Sequence, residues 1–139
     1  MIKPIALSGL AMISMALGSG LASAADTPAS LMAHYAAQAG VSPHSLSAER
    51  GALFYRAEHP GAAGTQVSCA SCHTANPKQP GRTRIGKRIE PLAPTTNPER
   101  FTDPAKVEKW FRRNCMDVLK RECSAQEKGD LIAWLNQAR

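Results

Sequence analysis

Apolar residues in this chain fall into one long run and several stripes at helical spacing. The run, from Ile5 to Leu17, follows the single charge of Lys3 and precedes Ala22-Ser23-Ala24. It falls short of the roughly 20 residues needed to cross a bilayer. A positive start, an apolar stretch and an A-x-A site read as a secretory signal peptide over residues 1–24, cleaved before Ala25. The stripes begin after it. Leu31, Tyr35 and Ala39 share one face, with His34 at its edge. Thr27 can cap that helix, Pro28 suits its first position and Gly40 ends it. Ser47 can cap a second helix reaching about Ala57, with Gly51, Phe54 and Ala57 as its buried stripe. Asp103-Pro104 opens a third helix, striped by Val107, Trp110, Phe111 and Val118. A capping box at residues 124–127 precedes a last helix carrying Leu131, Trp134 and Leu135. The apolar faces of the second and last helices predict that those two cross and pack, with Gly51 allowing a close backbone approach. An all-α fold of about four helices follows.

Residues 58–99 break the pattern. They carry six of the ten prolines and no helical period. A long irregular segment inside a compact domain is usually functional. It contains Cys69-Ala70-Ser71-Cys72-His73, a C-x-x-C-H motif and the attachment signature of a c-type haem. The spacing suits two thiols to the two vinyl groups of one porphyrin and delivers His73 as an axial iron ligand. Half of a zinc site is the competing reading, but no second Cys/His pair stands at suitable spacing. The irregular segment is then expected to wrap the porphyrin edge. Arg82, Arg84, Lys87 and Arg88 cluster within it, and either bind the propionates or dock a partner, or are simply an exposed basic loop.

Removing residues 1–24 from the 139 leaves 115, enough for one domain at 25–139. No later segment is apolar enough to span a membrane, so the mature protein is expected in the periplasm. It keeps 16 basic against 11 acidic side chains, a net +5. Such basicity can attract nucleic acid, which an exported protein rarely meets. A basic face for an acidic electron-transfer partner suits it better, and a merely solvated surface equally well.

Two further cysteines, Cys115 and Cys123, either bridge, as an oxidising compartment favours, or remain free thiols. Eight residues of unbroken helix hold Cα atoms roughly 12 Å apart, whereas a disulfide needs less than about 7 Å. If they pair, the helix ends between them.

The sixth iron position decides the chemistry. Asn114 falls in the middle of the third helix's apolar stripe. A buried amide without a partner costs about 1–3 kcal/mol, so it needs iron, a backbone carbonyl or water. Met116 is the competitor as an electron-carrier ligand, but nine residues beyond Val107 it points away from the stripe. Met32 fits the core of the first helix, and His34, His44 and His59 read as surface or packing residues.

Gly51-x-x-Phe54 ahead of the motif and the closing helix at 131–135 resemble class I cytochrome c. Within that plan, residues 84–94 (RIGKRIEPLAP), 100–103 (RFTD), 107–110 (VEKW), 113–115 (RNC) and much of 127–135 are similar to the sphaeroides haem protein type, small oxygen-binding cytochromes c. The likeness runs through nearly all of the mature chain. It implies a class I cytochrome c-like fold around one covalent haem c, with His73 and Asn114 as ferric ligands and a Cys115–Cys123 bridge. Met116 departs from the pattern expected after Cys115. The resemblance further implies that asparagine leaves on reduction and opens the iron to dioxygen, nitric oxide or carbon monoxide. Its electron donor would be a dihaem cytochrome c or similar protein, with a membrane b-type cytochrome upstream. Nitric oxide oxidation and terminal transfer to a small oxidant both fit such a site. A plain outer-sphere carrier with Met/His ligation is the alternative. An enzyme acting on a larger substrate would need convergent acid/base groups, which the sequence does not display.

Overall fold

The computed structural model describes residues 27–138; the signal-peptide reading of 1–24 lies outside them. Five α-helices and two minimal antiparallel hairpins make up the described regular structure, apart from short 3-10 turns. Helix α1 spans Pro28–Ala39. Thr27 Oγ1 accepts from Ser30 N at 3.2 Å, the Ser30 hydroxyl accepts from Thr27 N at 2.9 Å, and Gly40 closes the helix in the left-handed conformation. Helix α2 spans Ala48–Arg56 under a Ser47 cap.

Helix α5, Ala125–Gln137, starts with the expected capping box from Ser124 and Glu127. It packs between α1 and α2. The crossing with α2 is at Gly51, where any Cβ would collide with the Asp130 carbonyl. The absence of a side chain therefore permits the contact. Asp130 is buried, and its carboxylate accepts from Ser47 N at 2.6 Å, Arg50 Nε at 2.7 Å and Gln126 Nε2 at 3.0 Å. A buried carboxylate is tolerated when it is paired and hydrogen-bonded. Here it also sits against the N-terminus of α2, where negative charge is favoured.

Helix α4, Pro104–Leu119, begins at the Asp103 cap and stops at Lys120, whose φ is 59°. Cys115 and Cys123 form a disulfide across that break, 5.6 Å apart at Cα. The helix end is thus where the geometry of a bridge requires it. One part-buried junction ties three helices. Tyr35 Oη of α1 donates to Glu108 Oε1 of α4 at 2.6 Å, and Lys128 Nζ of α5 donates to Glu108 Oε2 at 2.8 Å.

The core differs from the expected stripes in three places, one of them Trp110 of the α4 stripe, which is 42% exposed. Ala36 is buried beside Leu31 and Tyr35, while Ala39 is only half-buried. On α2 the fully buried aromatic is Tyr55, and Phe54 is half-buried because it faces a cavity. The irregular segment holds β1 (His59–Pro60) paired with β2 (Gln66–Val67), the single turn α3 (Ala70–His73), and β3 (Gly81–Arg82) paired with β4 (Arg88–Ile89). Turns and side chains satisfy much of the remaining backbone. Leu92 N and Ala93 N both donate to Pro77 O, and Arg100 Nε and Nη2 donate to Pro91 O and Glu90 O. Among the described residues no helix is long and apolar enough to cross a membrane.

Candidate functional site

A cavity of about 630 Å³ lies between α2, α3, α4 and α5. From α3 and the residue before it come Cys69, Cys72 and His73; from α2, Phe54 and Tyr55. Helix α4 turns its whole apolar stripe to the same space, including Val107, Phe111 and Val118, with Asn114 among them. Leu131 and Leu135 of α5 complete the apolar lining.

The motif residues take their places through local structure. His73 N donates to Cys69 O at 3.0 Å, so the C-x-x-C-H stretch is one helical turn with both thiols and the imidazole on the cavity wall. Both cysteines are free. Burial pushes the Cys69 thiol up to about 11, with the neighbouring Cys72 adding to the rise against its own backbone hydrogen bond. A reactive thiol has a lowered pKa, so Cys69 is not set up as an attacking thiol. Among the described residues no three His, Cys, Asp or Glu side chains converge on a metal position, and the pair therefore lacks the partners a zinc site needs. Burial, and then the positive charge of Arg100, lowers His73 to about 4, so the ring is neutral at pH 7. Its Nδ1 is buried with no hydrogen-bond partner among the described residues. The Tyr55 hydroxyl, raised in pKa chiefly by burial, donates to Thr74 O at 2.6 Å and fixes the residue after the motif.

Asn114 is half-buried, and its carboxamide makes no hydrogen bond among the described residues. Met116 is 45% exposed and lies off the cavity. Neither Met32 nor His34, His44 or His59 lines the cavity.

Arg84 and Lys87, expected against the propionates, stand on the β3–β4 hairpin outside the wall of this cavity. The cause is the packing of β3 onto the motif turn, where a Cβ at Gly81 would collide with the Cys72 carbonyl. The chain then leads the hairpin turn out into solvent, with Ile85 91% exposed. Cations on the cavity wall come instead from Arg100 and Lys106. Arg100 carried no periodic signal and stood out only as part of a family-like word. Its guanidinium is positioned by the Glu90 and Pro91 carbonyls at 2.6 and 2.8 Å.

Residues 41–135 match a family model described as a domain of unknown function, DUF1924. The chain is 46% identical over 125 residues to the cytochrome c-type protein SHP of Cereibacter sphaeroides, covering 89% of this chain and 95% of that protein. It belongs to the SHP family of c-type cytochromes.

Two solved relatives share the architecture. The structure of oxidised SHP, an oxygen-binding cytochrome c, superposes with a TM-score of 0.72 at 46% identity, covering 81% of this chain and 97% of that one. Oxidised cytochrome c″ from Methylophilus methylotrophus gives 0.71 at 37%, covering 81% and 95%. A solution structure of that cytochrome c″, concerned with haem-ligand detachment, gives 0.66 at 36%, covering 81% and 94%. The fold is therefore the helical, class I cytochrome c-like one. The cofactor of an SHP-family chain is haem c, and the residues fit it. Two adjacent free thiols, a neutral imidazole with an orphaned nitrogen and an unpartnered amide share one apolar-walled cavity, of a volume usual for cofactor sites.

Proposed function

We propose that this chain is an exported, periplasmic monohaem cytochrome c that binds dioxygen, nitric oxide or carbon monoxide when reduced. Cys69 and Cys72 would hold the porphyrin through thioethers, with His73 and Asn114 as the ferric axial ligands. Bound there, the haem supplies a one-electron redox centre whose ferrous form takes small diatomic ligands.

His73 contributes a neutral ring nitrogen, which burial keeps unprotonated. Asn114 contributes an amide oxygen, a hard and weak donor. Such an oxygen would suit a ferric ion better than the softer ferrous ion, so Asn114 is the residue that would be released on reduction. Relative to Met/His ligation this lowers the reduction potential, because axial identity is a principal lever on it. The Cys115–Cys123 bridge keeps the end of α4 in place, so Asn114 stays near enough to rebind on oxidation. Once released, the Asn114 amide is free to donate a hydrogen bond to a bound diatomic. Arg100 and Lys106, on the cavity wall, are the cations we assign to the propionates.

The observation that supports this reading is the Asn114 carboxamide, which has no hydrogen bond among the described residues and lies beside Val107, Phe111 and Val118 on the wall that also bears His73. The exposed position of Met116 speaks against a plain Met/His carrier. Nitric oxide oxidation and terminal reduction of a small oxidant are the two chemistries this site would serve. The test is the visible spectrum of the haem-loaded protein. Ferrous protein shifting under carbon monoxide supports the reading; a low-spin ferrous spectrum indifferent to carbon monoxide refutes it.

A further inference from the structure

The β3–β4 hairpin is a built feature that the haem cavity leaves unexplained. Gly81 seats it directly on the backbone of Cys72 and His73, so the hairpin stands on the very turn that holds the thioether cysteines. Its tip is tied by hydrogen bonds rather than loose. Thr83 N donates to Lys87 O at 2.8 Å, Gly86 N to Thr83 O at 2.9 Å and Lys87 N to Thr83 Oγ1 at 3.0 Å. Arg82 Nη1 donates across the turn to Gly86 O at 3.2 Å. Gly86 has a φ of 79°, which glycine adopts without strain. This framework holds Ile85 outward at 91% exposure.

A single exposed isoleucine is ordinary. Here it is surrounded by exposed cations on a rigid mount. Arg82, Arg84 and Lys87 flank it, and none has an ion-pair partner among the described residues; Arg88 alone is paired, with Glu90 at 2.8 Å. A second cavity of about 520 Å³ lies between the hairpin and the end of α4. Arg82, Arg84 and Lys120 line it, and Cys72 and Ser71 form its inner wall. Asp117 is its one carboxylate. An apolar knob in a ring of unpaired positive charge, beside a path to a thioether cysteine, has the anatomy of a protein contact: apolar centre, charged rim.

We propose that this hairpin docks an acidic one-electron donor protein, which delivers its electron at the Cys72 edge. Ile85 enters an apolar recess of the partner, and Arg82, Arg84, Lys87 and Lys120 face its carboxylates. The proposal rests on the haem-binding and electron-transfer part of the function proposed above, and not on gas binding. The partner loses one electron and the haem iron gains it; no bond forms between the chains and no proton crosses the interface. Complementary charge steers encounter, so its mark is an association rate that falls with salt.

The test uses haem-loaded ferric protein and reduced flavodoxin, an acidic one-electron donor, followed on the haem band by stopped flow. The variants are the pair Arg84→Glu/Lys87→Glu and, separately, Ile85→Ser. At about 20 mM ionic strength, where charges interact over roughly 20 Å, the double variant is expected to slow reduction about tenfold or more. Raising the salt to about 0.5 M should collapse most of that difference. Ile85→Ser should slow reduction several-fold at either salt. Reduction by dithionite, itself a small anion, should be unchanged in Ile85→Ser and should be slowed far less than reduction by flavodoxin in the double variant. As a binding readout free of turnover, oxidised flavodoxin should shift amide resonances of residues 81–89. Variant rates within twofold of the parent overturn the proposal. So does loss of sedimentation with phosphatidylglycerol vesicles in a double variant that keeps its flavodoxin rate, because the occupant is then an anionic lipid surface. A ferrous parent indifferent to carbon monoxide bears on the gas-binding reading alone, so the two failures are told apart.

Discussion

Cys115 and Cys123 are joined across the end of α4, 5.6 Å apart at Cα and eight residues apart in sequence. Asn114 immediately precedes the first of them, so the bridge fixes the backbone beside the amide that sits between Phe111 and Val118 on the cavity side of α4. Closing a loop this short removes chain entropy from the unfolded state worth about 2–3 kcal/mol. The double variant Cys115→Ser/Cys123→Ser is expected to lose about that much stability in guanidinium titrations, with two-state behaviour retained. Covalent haem loading at Cys69 and Cys72 should persist.

Gly51→Ala tests the α2–α5 crossing. The new methyl group meets the Asp130 carbonyl and Leu131 N, which are backbone and cannot rotate away. Overpacking of this kind destabilises by about 1–3 kcal/mol. A lowered midpoint in chemical denaturation checks it. Gly40→Ala is the control: its Cβ meets open space, and its penalty comes only from the left-handed φ of 69°.

Glu108 governs acid stability at the α1–α4–α5 junction. Burial alone would raise its pKa, but hydrogen bonds from Lys128 and Tyr35 outweigh that and hold it below the usual range. The Arg121 hydrogen bond does the same for Glu127, against partial burial. Both groups bind fewer protons folded than unfolded in acid. Their contribution is complete above the unfolded carboxylate value, about 4.3, and is lost as pH falls through the lower folded values. Thermal midpoints from pH 7 to pH 3 should fall steeply below about pH 4 in the parent. The gap between parent and Glu108→Gln should narrow over that interval; a constant gap would contradict the assignment.

Much of this was legible in the chain. Caps at Thr27, Ser47, Asp103 and Ser124 marked helix starts because a side-chain acceptor serves the first free N–H groups. The stripe of α4 was legible because helical period is a local property, and it put Asn114 on the cavity wall and Met116 off it. The hairpins were not legible: each strand is two residues long, too short for any alternation to show. Arg100 was passed over for the same reason. Its place depends on the Glu90 and Pro91 carbonyls, contacts that nothing in local pattern encodes. For Arg84 and Lys87, charge density in sequence says nothing of which way a hairpin points, and the structure puts both on the β3–β4 hairpin outside the cavity lining. Tyr55 and Phe54 are neighbours on a short helix, and only the position of the cavity decides which is enclosed.

Asn114→His replaces a weak oxygen donor by a strong nitrogen donor at the same position. It is expected to keep the ferrous iron six-coordinate and to slow carbon monoxide binding by about an order of magnitude or more, since axial identity sets ligand lability. Flash photolysis of the ferrous protein under carbon monoxide checks it; parent-like rebinding would argue against ligation from residue 114.

The central claim is that the Asn114 carboxamide binds iron in the oxidised protein and releases it in the reduced one. Resonance Raman spectra of the parent and Asn114→Ala, each taken ferric and then ferrous, test it most directly. The account predicts six-coordinate low-spin ferric parent, five-coordinate high-spin ferrous parent, and an alanine variant that differs from the parent only when oxidised. Ferric spectra unaltered by the substitution, or a parent that remains low-spin after reduction, would contradict it.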